Sequence, residues 1–233
     1  MLEFLSAPID PTRAHEVGVA LSWHARLMVV SWGVLAPLAV LIARFGKIWP
    51  RQDWPNELDN PMWWRFHWMT QTLVMICALI GFVLIFQASA HPDAPLHRRI
   101  GYGVLLLGLI QYLSGVLRGT KGGPTDTTLR GDHFDMTARR VVFECLHKSL
   151  GYLALMLTMA ATLTGLWAAN ALMWMPLLLG LFWLGLALCF VLLQGRKYTV
   201  DTYQAIWGPD PNFPGNQRKP IGWGISRPDR AGD

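Results

Sequence analysis

Charged side chains fall in clusters along this chain, and the stretches between them are apolar. No Asp, Glu, Lys or Arg occurs between Arg26 and Arg44, Arg65 and Asp93, Arg99 and Arg118, or Lys148 and Arg196. The last gap holds 47 residues, about 70 Å as one helix at roughly 1.5 Å per residue. A bilayer core is about 30 Å thick, so that gap must contain two spans. The pattern predicts five membrane helices, over 11–45, 62–88, 95–117, 136–168 and 172–194. Asp10-Pro11 reads as the start of the first, with Asp as N-cap and Pro at the first helical position. Pro37 lies inside it and presses on the Gly33 carbonyl, which predicts a mild kink. The organisation expected is an N-terminal tail and helix start (1–20), a four-helix core (21–168), a fifth membrane helix (169–197) and a C-terminal tail (198–233). The fold class is an all-α integral membrane protein: an up-down four-helix bundle plus one further transmembrane helix.

Composition agrees with this. The chain is 52% hydrophobic and 15% charged, where soluble domains average about 25% charged. A soluble enzyme, a nucleic-acid binder and a disordered chain are excluded. Cys77, Cys145 and Cys189 all fall in expected spans, in no CxxC or CxxCH string, which argues against disulfides and covalent haem attachment. The first eighteen residues hold no apolar run, so the first helix is expected to be its own targeting signal.

Charge also orients the chain. With five spans, one side holds only Arg13, Arg26, Arg98 and Arg99, and the other holds the remaining sixteen of the twenty Lys and Arg. The positive-inside rule makes the richer side cytoplasmic. That puts the N-terminus outside and the C-terminus in the cytoplasm of a cell inner (plasma) membrane protein. Arg51 and Arg65, among Trp49, Trp54, Trp63, Trp64 and Trp68, mark the cytoplasmic interface. The 198–233 tail, rich in Pro and Gly, reads as irregular coil. Trp207, Phe213 and Trp223 either dock it on a partner or are incidental in a solvated tail.

Seven histidines are present. His15, His91 and His133 lie in tails or loop ends and need no special role. His24, His67, His97 and His147 each fall in the opening part of a separate span, where an ionisable group points to function. The first and third spans start on one side and the second and fourth on the other. His24 and His97 therefore share an outer depth, and His67 and His147 an inner one. In an up-down bundle these are diagonal helices, so each pair faces itself across the centre. Two imidazoles across a gap that admits a flat macrocycle suit bis-histidine ligation of haem iron.

A repeated spacing supports this: Gly101 and Gly115 follow His97 at +4 and +18, and Gly151 and Gly165 follow His147 likewise. Eighteen residues make about five turns, returning to the same face roughly 27 Å away, near the level of the other pair. The competing account is that small residues merely let helices pack closely. Zinc or copper would want three or four ligands at one depth. Glu144 reads as an interface residue at the helix start and Cys145 as packing.

The segments carrying these histidines are WHARLMVVSWGVLAPLAVLIARF, WWRFHWMTQTLV, HRRIGYGVLLLGLIQYLSGVLRG and HKSLGYLALMLTMAATLTG. In that order they resemble the transmembrane cytochrome b561 family, over about residues 22–166. The resemblance implies two non-covalent haem b groups, the first and third ligands sharing one and the second and fourth the other. Family members commonly carry a further helix before the first ligand helix, and some append an extracellular domain. Neither is seen here, and the basic residues that eukaryotic members use for ascorbate have no secure counterpart.

Transmembrane electron transfer through two bis-histidine haems is the expected function, with the irons about 20 Å apart at most across the core. The partners would be a lipid bilayer and a membrane or periplasmic redox protein, or quinone, within a larger complex or a homodimer. Arg26, Arg98, Arg99, Arg65 and Lys148 are candidates to neutralise haem propionates, or else ordinary interface cations. The 119–135 loop, with Asp132 and His133, is either a docking place for a donor or a flexible connector. The rival reading is a structural subunit of a larger membrane redox complex, with little electron-transfer role of its own.

Overall fold

A computed structural model describes residues 2–88 and 93–227; His91 and residues 228–233 of the tail lie outside the described residues. Five helices are long and apolar enough to cross a membrane: α1 (Val19–Phe45), α2 (Met62–Phe86), α3 (Pro95–Val116), α4 (Ala138–Ala168) and α5 (Trp174–Gly195). Short helices occupy Leu2–Ser6, Asp132–Asp135 and Thr202–Trp207. Among the described residues the only β-type pairings are isolated bridges, Pro8 with Leu172 and Val200 with Ser226. Large apolar side chains such as Leu106, Leu181 and Val191 point outward, as a lipid-facing surface requires.

The helix expected from Pro11 begins at Val19 instead. Asp10 caps a turn rather than a helix: its Oδ1 accepts from Thr12 N–H (2.9 Å) and Thr12 Oγ1 (2.6 Å). This is the local bonding by which Asp competes with helix formation. Inside α1, Val29–Leu35 winds as a π-helix, and Ala36 N–H donates to Ser31 O, five residues back. Pro37 has no N–H to offer the Gly33 carbonyl. That carbonyl accepts instead from the indole Nε1–H of Trp183 on α5, at 2.8 Å.

The chain divides into two compact units, and each long helix contributes to both. The first comprises Met1–Leu38, Thr70–Leu109 and Tyr152–Leu188. Its core sets Trp32 and Ala36 of α1 against Val74 and Ala78 of α2 and Val104 of α3, with Leu155, Leu157 and Ala161 of α4 packed alongside. Gly108 lets Trp32 in, since a Cβ there would stand 2.6 Å from Trp32 Cη2. The N-terminal segment is tied to the α4–α5 turn. Ile9 N–H donates to Ala171 O and Met173 N–H to Ala7 O, both at 2.9 Å. Asn170, buried and left-handed with φ 46°, donates from Nδ2 to the carbonyls of Asp10 and Arg13.

The second unit comprises Ala39–Met69, Ile110–Gly151 and Cys189–Asp233. Here the tail departs from the irregular coil expected of it. Thr202–Trp207 is a wholly buried helix whose N-cap, Asp201, accepts from Tyr203 N–H. Tyr203, Ile206 and Trp207 form a core with Met136, flanked by Trp63, Phe134, Phe213 and Ile221. The Tyr203 hydroxyl donates to Phe134 O at 2.7 Å. Further along, Arg44 holds the tail by donating to Gln194 Oε1 (2.7 Å) and Trp223 O (2.8 Å). Burial of these aromatic rings outweighs the weak local propensity of a Pro/Gly-rich sequence.

Candidate histidine-pair site

In the first unit His24 of α1 and His97 of α3 come together, their ring centres 6.0 Å apart and their planes at 87°. In the second unit His67 of α2 and His147 of α4 do the same, at 6.3 Å and 77°. A metal–imidazole nitrogen bond is about 2.0–2.1 Å and a ring centre lies about 1.1 Å behind its nitrogen, so imidazoles on opposite sides of one ion have centres about 6.3 Å apart. Both pairs have that spacing. Among the described residues no group of three or more His, Cys, Asp or Glu side chains converges. Two imidazoles per pair are what the protein would contribute to an ion whose other ligands come from a macrocycle.

The other ring nitrogen of each histidine is held. His24 Nδ1 lies 3.0 Å from Gly81 O, His97 Nδ1 2.9 Å from Ala161 O, and His67 Nδ1 3.2 Å from Ala39 O. A carbonyl only accepts, so Nδ1–H is the donor in all three and Nε2 keeps its lone pair. That is the tautomer and outer support typical of a metal-binding histidine. His147 differs, because its Nδ1 faces the Ser114 hydroxyl at 3.1 Å.

The glycines take two roles. A Cβ on Gly165 would stand 2.8 Å from His97 Cε1, and one on Gly115 would stand 3.8 Å from His147 Cε1. The +18 glycine of each histidine helix thus lies beside a histidine of the other. A Cβ on Gly101 meets nothing within 4 Å, and one on Gly151 meets only the side-chain amide of Gln111 at 3.8 Å. These positions leave open space near the histidine that precedes each by one turn.

Around the second pair the polar residues are more deeply placed than the sequence indicates. Glu144, expected in the interface, is 5% exposed. It accepts from Arg140 Nε at 3.0 Å and Lys148 Nζ at 2.6 Å. Lys148, a candidate for neutralising a propionate, is thus paired with Glu144 and also donates to Ile221 O at 2.7 Å. Arg118 stacks over Trp64, 3.7 Å from the ring centre, and Arg26 lies over Trp23 at 5.4 Å. His133, expected at a loop surface, is 4% exposed, set edge-on against Tyr203 and Trp207, with Nε2 unpartnered 3.8 Å from Glu144 Oε1. Burial, reinforced by the Arg140 charge, pushes its pKa down to about 3. Lys47, also buried, donates from Nζ to Arg44 O and Val200 O, and burial takes it down to about 7.

The carbonyls of Gly81, Ala161 and Ala39 carry no side-chain signal and could not be foreseen. Ser114 and Gln111 could have been: they are polar side chains within the otherwise apolar second half of α3, where such groups mark function or helix contacts.

Residues 23–173 match the family described as eukaryotic cytochrome b561. A cytochrome b561 and DOMON domain-containing protein of Arabidopsis thaliana is 28% identical over 170 residues, 71% of this chain and 32% of the relative. Ferric-chelate reductase 1 of Homo sapiens is 28% identical over 156 residues, 66% of this chain and 23% of the relative. The chain thus spans under a third of the length of either. No solved structure matches it. The match covers most of the chain and all four histidine-bearing helices, so the chain belongs to the cytochrome b561 family, haem b-binding membrane proteins of electron transfer.

Proposed function

We propose that this chain carries electrons across a membrane through two b haems, one held by His24 and His97 and the other by His67 and His147. The observation that supports this most is the paired spacing of 6.0 and 6.3 Å, with the Nδ1 of each histidine already bonded on the far side. When bound, the iron porphyrin supplies a one-electron couple whose potential follows from its ligands, burial and nearby charge. The protein's part is to hold the imidazoles in place, His24, His67 and His97 each in one tautomer through a peptide carbonyl, so that little reorganises when an electron arrives. Around His147, burial of the Arg140–Glu144–Lys148 cluster keeps fixed charge close to the site while limiting water.

Successive spans run in opposite directions, and each histidine stands in the opening part of its helix. The charge asymmetry assigns the His67–His147 end to the cytoplasm and the N-terminus to the outside. A membrane or periplasmic redox protein, or quinone, is the exchange partner; the relatives add a ferric chelate as a class of acceptor.

Sealed vesicles containing the haem-loaded protein, with dithionite, a reductant that needs no binding site, trapped inside and ferric citrate outside, test the reading. Wild-type protein should reduce the external iron, and His67→Ala, which breaks one pair, should lower the rate at least tenfold. Equal rates in both would overturn it.

A further inference from the structure

We propose that Ser114 and Gln111 are positioning residues that set the proton on His147 and thereby the potential of the haem it shares with His67. The proposal rests on reading His147 as an axial ligand, and it goes further by giving that ligand a character the other three lack.

His24, His67 and His97 each donate Nδ1–H to a peptide carbonyl. A carbonyl is a strong acceptor, and pulling on Nδ1–H makes the imidazole a better electron donor through Nε2, which favours ferric iron. His147 has no such carbonyl. Its Nδ1 lies 3.1 Å from Ser114 Oγ, whose own hydrogen is committed to Gln111 O at 2.9 Å. The hydroxyl therefore presents a lone pair, a weaker acceptor than a carbonyl.

Gln111 competes at the same nitrogen. With its amide nitrogen turned toward His147 it donates to His147 O (3.1 Å) and reaches Nδ1 at 2.8 Å, while its oxygen accepts from Gly151 N–H (3.1 Å). An amide hydrogen aimed at Nδ1 suits the opposite tautomer, with the proton on Nε2. Ser114 favours the tautomer that frees Nε2 for iron, and Gln111 opposes it. The pair thus leaves His147 a weaker donor than its three counterparts and raises the potential of its haem relative to a carbonyl-backed ligand.

Redox titration of the haem absorbance in purified protein tests this, with haem content measured in the same samples. Ser114→Ala should keep two haems and move the midpoint of only the one lost in His67→Ala, by an amount equal to about a threefold to tenfold change in its reduced-to-oxidised ratio; tenfold is about 59 mV for one electron. Ser114→Thr, which keeps the hydroxyl, should restore the wild-type value. Gln111→Leu, which removes the competing amide, should lower the same midpoint. Should Ser114→Ala shed that haem, the Thr and Leu variants decide the matter in the same way. Two haems with unmoved midpoints in the Ala and Leu variants would overturn the inference while leaving the di-haem reading intact. Wild-type protein without two haems would instead overturn the di-haem reading, and this inference with it.

Discussion

Gly165 lies directly against the imidazole of His97: a Cβ there would stand 2.8 Å from Cε1 and 3.0 Å from Nδ1. The ring needs that space to keep Nδ1–H on Ala161 O, 2.9 Å away on the same helix as Gly165. Gly165→Ala should therefore displace the ring and deplete the haem held with His24. Gly115→Ala, with 3.8 Å to His147 Cε1, should be tolerated. Haem content of the two variants checks this; equal loss in both would show that the glycines serve general helix packing.

Trp183 is expected to matter more than its place in a lipid-facing helix suggests. Its indole Nε1–H is the donor to the Gly33 carbonyl, which Pro37 cannot serve. Trp183→Phe leaves that carbonyl short of a donor and should cost about 1–3 kcal/mol. Trp174→Phe, at a 43% exposed position, should change stability little. Unfolding in detergent, followed by helix content, separates the two.

The buried His133 gives the second unit an acid sensitivity with a defined sign. In the folded chain its imidazole stays neutral down to about 3, whereas in an unfolded chain it takes a proton near pH 6.5. Between those values the unfolded state binds more protons. Stability from this group is therefore full above pH 6.5 and falls as the pH drops toward 3, with a slope approaching about 1.4 kcal/mol per pH unit. Melting temperatures from pH 7 to 4 should show the decline, and His133→Phe should flatten it. An unchanged slope in that variant would contradict the assignment.

The tail behaves as part of the fold. Trp207 is 2% exposed, packed with Tyr203, Met136 and Phe134, so Trp207→Ala should cost about 3–5 kcal/mol. Limited proteolysis should then cut the variant within 198–227 at protease levels that leave wild-type protein whole.

The five spans were legible because charge is excluded from lipid whatever the neighbours, so the gaps themselves mark them. The meeting of His24 with His97 and of His67 with His147 was legible because alternating helix direction fixes depth without knowledge of packing. What escaped depended on distant partners. Asp10-Pro11 has the form of a helix start, but Asn170, some 160 residues away, captures the backbone of that segment. The tail has no periodicity, and its rings find a core only against Phe134 and Met136. Glu144 and His133 look like surface residues until that core covers them. The π-helical stretch in α1 is a local answer to Pro37 that needed Trp183 to complete it.

The most direct test of the central claim is the haem b content per chain of wild-type, His24→Ala, His97→Ala, His67→Ala and His147→Ala proteins, counted from pyridine haemochrome spectra, with the haem that remains identified by redox titration of the native protein. Two haems per wild-type chain are predicted, and one in each variant. His24→Ala and His97→Ala should lose the same haem, and His67→Ala and His147→Ala the other. A colourless wild-type protein, or variants of one pair that lose different haems, would contradict the account.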